Sequence, residues 1–192
     1  AEIIVPIPLT ISGDYTIPKG GDKKKLLELS YKNALLYMKE KTNQYEKLDP
    51  DLKKERLLST IQKDLRLKDL PVHMECFDNS NLQGSFPVSA CVVFKNAKPN
   101  KKEYRHFNIK TVEGPNDFAS MYEALTRRYS RLIEQKHSLP QLIVIDGGKG
   151  QLSSSVKALK DLGIYGKVAI IGIAKRLEEI FYPEDNLPLY LD

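Results

Sequence analysis

A run of four apolar residues, 142–145, ends in Asp146-Gly147-Gly148-Lys149. The run predicts a buried strand, and ligands of open α/β sheets gather at the carboxyl ends of parallel strands. The glycines allow a phosphate to approach the backbone, and Lys149 and the first amides of a following helix supply positive potential. The residues after the glycines match neither a Walker loop nor a dinucleotide-binding loop. The alternative is a tight strand-to-helix turn in which Asp146 caps the helix.

A second acidic residue, Asp78, follows the apolar pair Cys76-Phe77 at the predicted end of another strand. If this strand lies beside the one that ends in Asp146, the two carboxylates converge. Convergent carboxylates suit Mg²⁺ or Mn²⁺, hard ions that prefer oxygen ligands. Two such ions, roughly 3.5–4 Å apart, clamp the attacking and leaving oxygens of a phosphodiester during in-line displacement. Taken alone, Asp78-Asn79-Ser80 is also a turn signal.

Asp117 lies at the predicted amino terminus of a helix, where a simple cap is one interpretation and a role near the metal ions is the other. Two basic clusters, with Tyr104 and Tyr129 interleaved, favour contacts along a nucleic-acid backbone, although a solvated charged face remains the default interpretation. The clusters consist of Lys101, Lys102 and Arg105, and of Arg127, Arg128 and Arg131. The three histidines have no metal-ligand spacing to one another; they are His73, His106 and His137.

The elements that must position these residues change character near Pro71. Residues 1–70 predict an extended connector and two helices, which begin at Asp22 and Pro50, with one apolar face of the first helix packed. Residues 71–192 predict the order β-β-β-α-β-α-β, a mixed α/β sheet flanked by helices in a ribonuclease H-like arrangement. The strands are predicted at 72–77, 88–94, 103–109, 142–145 and 167–173, with helices from about 116 and over 151–162.

The composition limits the class of protein. The chain has 192 residues, of which 41% are hydrophobic, and this excludes a collagen or a disordered low-complexity tail. Thirty basic residues stand against 25 acidic ones, a net charge of +5 that favours a polyanionic partner. Cys76 and Cys91 form no metal-binding pair, and no apolar run is long enough to span a bilayer. We therefore expect a protein of the cytoplasm that is not exported.

Several ordered motifs resemble those of the UvrC family, the dual-incision nuclease of the excinuclease ABC system in bacterial nucleotide excision repair. The resemblance covers nearly the whole chain, since upstream segments also resemble the region before the second nuclease domain of the family. The motifs lie at 75–84, 92–94, 103–107, 117–118, 127–129 and 145–152, and the upstream segments at 21–29 and 32–34.

The resemblance implies a ribonuclease H-like domain that uses Mg²⁺ or Mn²⁺ to cut the damaged DNA strand on the 5′ side of a lesion. It implies that Asp78 and Asp146 are metal-binding catalytic residues and that Asp117 is also needed for this incision. Lys149 and the arginines would hold the strand. The implied partners are damaged double-stranded DNA and UvrB, the helicase subunit of the excinuclease.

One departure from the family pattern concerns the carboxyl end. The family has a catalytic histidine beyond the position of Asp192, and none of the three histidines present matches it. We therefore expect a fragment, which also lacks the GIY-YIG nuclease domain, that binds metal weakly and cleaves poorly or not at all. Two alternatives stay open: a non-catalytic module that docks DNA or a partner, and an RNA-directed or transposase-like nuclease of the same fold.

Overall fold

A computed structural model describes residues 2–10, 14–82, 85–112, 116–174, 179–185 and 187–190. The chain divides into two compact units, Ala1–Lys53 and Lys54–Asp192. The first unit contains a parallel pair of short strands followed by a long helix, and the second helix crosses the division between the units. These elements are β1 (Ile3–Ile4), β2 (Tyr15–Thr16), α1 (Gly21–Leu48) and α2 (Pro50–Asp64).

The long helix α1 differs from the sequence prediction in one respect. Its existence is as predicted, but its apolar side chains do not pack as a face: Leu26 is 59% exposed and Met38 is 63% exposed. The periodic pattern predicts a core face, yet none of the described residues covers these two side chains. The predicted packing of this face is therefore wrong for Leu26 and Met38.

The second unit is built around a mixed seven-stranded sheet of order β5-β4-β3-β7-β8-β9, with β6 paired to β4. Strands β3, β7 and β8 are parallel to one another, whereas β4 runs antiparallel to β3. The predicted β-β-β-α-β-α-β order is confirmed, with β5 and β9 as short additions. The strands are β3 (His73–Leu82), β4 (Ser85–Lys95), β5 (Lys98–Pro99), β6 (Arg105–Asn108), β7 (Leu142–Asp146), β8 (Ala169–Ala174) and β9 (Glu179–Phe181).

Two helices, α3 (Asp117–Glu134) and α4 (Lys149–Asp161), cover one face of this sheet. Their apolar side chains pack with Phe77 and Ile145 in the main core, which also includes the fully buried Tyr129. On the other face, the end of α2 and the segment after it contribute a smaller cluster around Leu65 and Ile171. The sheet is thus a layer between two apolar clusters.

The hairpin of β3 and β4 is longer than the sequence predicts. The prediction ended the first strand at Phe77, but the antiparallel ladder continues to Leu82. The turn expected around Gly84 lies outside the described residues. Asp78 is therefore inside the hairpin and not at the end of a strand, a correction that results from the pairing of Asp78 with Ala90 of β4.

None of the helices in the described ranges is long and apolar enough to cross a membrane.

Candidate active site

Asp78 and Asp146 lie at equivalent positions on two adjacent parallel strands. The parallel ladder between β3 and β7 ends with Phe77 opposite Ile145, and each aspartate is the next residue in its strand. Both side chains are half-buried. Because side chains alternate across a strand, the two aspartates share the sheet face opposite to that of Phe77 and Ile145. Asp146 also ends β7, so the pair marks the point where these strands separate.

Asp117 approaches the same end of the sheet through its backbone. It is the first residue of α3, and the cap is its neighbour Asn116, whose side-chain oxygen accepts a hydrogen bond from the Ala119 amide at 3.1 Å. The Asn79 side chain donates to the Asp117 carbonyl at 2.9 Å. The amino terminus of α3 is therefore fixed to β3 one residue beyond Asp78, and Asp117 is not the cap of its helix.

The turn after Asp146 leads directly into α4. Gly148 occupies the cap position without a side-chain hydrogen bond, and Lys149 is the first helical residue, with its ammonium 5.3 Å from the centre of the Phe181 ring. Asp146 thus precedes the cap position by two residues. The Gly147 amide donates to the Ile173 carbonyl at 2.9 Å, which ties the turn to β8. The amino terminus of α4 therefore lies next to the end of β7, with its cap position two residues beyond Asp146.

Gly172 of β8 supports this turn through close packing. A Cβ atom at position 172 would lie 3.0 Å from the Gly147 carbonyl oxygen, whereas a Cβ atom at Gly148 would meet nothing within 4 Å.

We expect Gly172→Ala to lower the free energy of unfolding by about 1 kcal/mol. The clash of the new methyl group with the backbone outweighs the stabilisation that comes from the smaller entropy of the unfolded alanine chain. Gly148→Ala is the matched control and should leave it within about 0.5 kcal/mol. Urea unfolding of both variants measures the difference, and equal effects would refute the close contact.

The aspartate pair fits a hard divalent cation in donor type. Two carboxylates in register on rigid strands provide oxygen ligands, which Mg²⁺ and Mn²⁺ prefer, and such ions commonly keep several water ligands. No group of three or more His, Cys, Asp or Glu side chains in the described residues forms a cluster that could hold a metal ion. Within the described part of the chain, the aspartate pair thus provides two carboxylate groups and no third acidic, histidine or cysteine ligand.

The predicted DNA-binding residues occupy different environments. Lys101 and Lys102 are exposed in a 3-10 turn, Lys101–Glu103, and Arg105 at the start of β6 is also exposed. Arg127 is exposed but donates to Glu123 at 2.9 Å and to the Asn108 carbonyl at 2.8 Å. These residues thus lie in the 3-10 turn, at the start of β6 and on α3.

Arg128 differs from the other basic residues because it is buried. Its guanidinium donates to both carboxylate oxygens of Glu75, at 2.5 and 3.2 Å. Glu75 has no exposed surface, and it also accepts a hydrogen bond from the Tyr129 hydroxyl at 3.0 Å. Nε2 of His73 lies 3.2 Å from the same carboxylate. Arg128 is therefore mainly held by a buried polar cluster, the Glu75 cluster, made of Glu75, His73, Cys91, Arg128 and Tyr129.

Sequence reasoning missed the Glu75 cluster, although a signal was present. Glu75 and Phe77 are two residues apart in one strand and so share a face, and Arg128 follows Leu125 by three residues on the core side of α3. A charged residue at a core position of a strand requires a cation or several donors opposite to it. The pattern therefore indicated a buried ion pair between the strand and the helix.

The Glu75 cluster makes the free energy of unfolding depend on pH in the acid range. Burial by itself raises the pKa of Glu75, but the hydrogen bonds of His73, Arg128 and Tyr129 and the charge of Arg128 outweigh it and hold the pKa at about 2, against 4.5 in a model peptide. Because the folded pKa is depressed, the stabilisation is complete above pH 4.5 and is lost as pH falls towards 2.

We expect the free energy of unfolding to fall between pH 4.5 and 2 with a slope contribution of at most about 1.4 kcal/mol per pH unit from Glu75. The variant Glu75→Gln should lack this contribution. Glu103→Gln, which changes a partly exposed carboxylate, should keep it. Urea unfolding at several acid pH values measures the slopes, and equal slopes for wild type and Glu75→Gln would contradict the assignment.

Comparison with known proteins identifies the second unit. Residues 62–192 match the family model described as the UvrC RNAse H endonuclease domain. The UvrABC system protein C of Flavobacterium johnsoniae is 60% identical over 193 aligned positions, which cover 100% of this chain and 32% of that protein. The UvrABC system protein C of Porphyromonas gingivalis is 59% identical over 177 positions, covering 92% of this chain and 30% of that protein. The chain thus spans about a third of the length of these curated relatives.

A more distant likeness is to a solved structure of Ciona intestinalis endonuclease V in complex with a 24-mer DNA that contains an inosine followed by a ribo-adenosine. It covers 75% of this chain and 62% of that chain, with 20% sequence identity and a TM-score of 0.41. The family match and the high identity to proteins named UvrABC system protein C together decide the assignment: the chain belongs to the UvrC family and carries its ribonuclease H endonuclease domain.

Proposed function

We propose that this chain contributes a metal-dependent phosphodiester hydrolysis, the 5′-side incision of damaged DNA in nucleotide excision repair, to a longer protein. The observation that carries the proposal is the register of Asp78 and Asp146 on adjacent parallel strands. Two neighbouring carboxylates would repel a DNA phosphate unless a cation lay between them. A pure docking module has no need for such a pair, so the nuclease is favoured over the docking alternative.

In this proposal, Asp78 and Asp146 hold Mg²⁺ or Mn²⁺. The bound metal would activate water and stabilise the negative charge that develops on the phosphate. Lys149 and the first backbone amides of α4 would orient the scissile phosphate, since a helix amino terminus attracts anions. Asp117 would act from the start of α3 as a further acidic residue of the incision site. Rigid strands would keep both carboxylates oriented before DNA arrives.

We place this function in residues 71–192 and treat residues 1–70 as a helical extension. The partners that we propose are damaged double-stranded DNA and UvrB, the helicase subunit of the excinuclease. The high identity to UvrABC system protein C sequences supports both partners. Because the chain spans about a third of those relatives, incision of DNA is a property that we propose for the longer protein.

Calorimetric titration with Mn²⁺ tests the proposed site without requiring cleavage. We expect wild-type chain to bind Mn²⁺, and Asp78→Asn and Asp146→Asn each to weaken binding at least tenfold, because each removes one anionic oxygen ligand. Asp69→Asn, which changes an exposed carboxylate, is the control with the same chemical change and should bind as wild type does. Circular dichroism verifies that all variants are folded. Unchanged binding in both site variants would reject the aspartate pair as the metal site.

A further inference from the structure

A basic cavity of about 550 Å³ lies between β4 and the carboxyl-terminal end of α3. It is lined by His73, the first residue of β3, which precedes Asp78 in that strand and lies on the other face of the sheet. Five residues separate the two positions, which corresponds to about 17 Å along the strand. The cavity is therefore separate from the aspartate pair.

The walls of this cavity carry an excess of positive charge. Among the described lining residues, five are Lys or Arg and one, Glu103, is acidic; Glu75 lies behind the wall as the partner of Arg128. These two carboxylates leave an excess of three positive charges. The five cations are Lys95, Arg105, Arg128, Arg131 and Lys136.

Three of these five cations have no carboxylate partner among the described residues. Lys95 pairs with Glu103 at 2.5 Å, and Arg128 pairs with Glu75. The other three are exposed: Arg105, which donates only to backbone carbonyls, Arg131 and Lys136. Exposed cations next to a concave surface raise the local concentration of anions. The site is thus suited to an anionic ligand.

The cavity continues into a second one of about 440 Å³, which extends along α3 to Arg127 and Phe107. The two cavities share Arg105, Arg128 and Arg131, so they form one continuous depression, the α3 groove. Arg127 and Arg131 are four residues apart, about 6 Å along the helix axis. Glu134 also lines the second cavity and Glu123 pairs with Arg127, so the six cations of the α3 groove face four carboxylates and keep an excess of two positive charges. Several cations along one groove fit an anion with repeated charges better than they fit a single small anion.

We propose that the α3 groove binds the phosphodiester backbone of nucleic acid at a distance from the aspartate pair. The choice of nucleic acid as the occupant rests on the proposed function, whereas the anionic character of the ligand rests on the groove alone. The groove would hold the DNA that flanks the cut, with Arg131 and Lys136 contacting phosphates and the Glu75 cluster fixing the wall.

Fluorescence anisotropy with a labelled 20-base-pair DNA duplex in EDTA tests this proposal, because without metal the aspartates provide no attraction. We expect Arg131→Ala/Lys136→Ala to weaken duplex binding at least fivefold and to reduce the slope of log K against log salt by about 1–2, since each phosphate contact contributes about 0.9. The control Lys63→Ala/Lys68→Ala removes the same charge from exposed positions near the end of α2. It should change affinity less than twofold. Equal effects of the two double variants would overturn the proposal.

Two further binding measurements distinguish the other ligands and the other sites that could explain the result. The first measures binding of inorganic phosphate by calorimetry at constant ionic strength, and we expect weak binding to wild type. Tight phosphate binding that Arg131→Ala/Lys136→Ala removes, with no effect of that variant on duplex affinity, would assign the groove to free phosphate and overturn the proposal. Asp78→Asn/Asp146→Asn should bind the duplex in EDTA at least as tightly as wild type does, because it removes two carboxylates that repel phosphate. A loss of affinity in that variant would place the main DNA contact at the aspartates and also overturn the proposal. All of these affinities are measured without metal. If the aspartate pair proves not to bind metal, the test of the groove is therefore unaffected.

Discussion

Asp146→Asn lowers metal-dependent nicking of lesion-bearing duplex DNA to the rate measured in EDTA. The reason is that a bound metal contributes several kcal/mol of transition-state stabilisation, and a loss of about 4 kcal/mol corresponds to roughly a thousandfold in rate. Asp78→Asn should have the same effect. The measurement is the rate of strand nicking with Mn²⁺, compared with a parallel reaction in EDTA. The rates are measured in the longer protein that contains this chain, because residues 1–192 alone are expected to cleave poorly or not at all.

The double variant provides the sharper comparison. Residues that act as one unit are not additive, so Asp78→Asn/Asp146→Asn should nick no more slowly than either single variant. Asp69→Asn, an exposed aspartate, should nick at the wild-type rate. Separate and additive losses for the two aspartates would contradict a common metal site.

Arg128→Met lowers the free energy of unfolding by about 3–5 kcal/mol. The substitution leaves Glu75 as a buried charge without its cation, and removal of one partner of such a pair is strongly destabilising. For a unit of the size of Lys54–Asp192, this corresponds to a fall in Tm of roughly 10–20 °C. Thermal and urea unfolding measure the change.

The control for this prediction is Arg131→Met, which makes the same chemical change at an exposed position of the same helix. It should change stability by less than about 0.5 kcal/mol. Glu75→Gln/Arg128→Met should recover part of the loss, because it also removes the uncompensated carboxylate. A loss for Arg128→Met no larger than that for Arg131→Met would show that the buried pair contributes little to stability.

The sheet and its order follow from patterns that are local in the sequence. The run Leu142-Ile143-Val144-Ile145 predicts a buried strand because a parallel strand is covered on both faces, and it lies between β3 and β8 as expected. Asn116 and Asp117 mark the start of α3 because capping residues satisfy the first amides of a helix. Strand lengths were less predictable, since β3 extends to Leu82 through pairing with β4, a partner that no local pattern specifies.

The candidate site was predictable in its residues but not in its wider environment. An acidic residue after an apolar strand is a local signal, whereas the buried Glu75 cluster and the α3 groove depend on side chains from distant segments. Arg128 illustrates the limit: its position in a basic cluster favours DNA contact, yet Glu75 holds its guanidinium. The apolar side of α1 shows the same limit, because periodicity predicts a face but not what covers that face.

The most direct test of the central claim is a crystal structure of the chain grown with Mn²⁺, with an anomalous difference map calculated from the data. The account predicts an anomalous peak within coordination distance, about 2.0–2.3 Å, of carboxylate oxygens of both Asp78 and Asp146. A well-ordered Mn²⁺ peak bound elsewhere, with neither aspartate as a ligand, would contradict the claim that these two residues form the metal site.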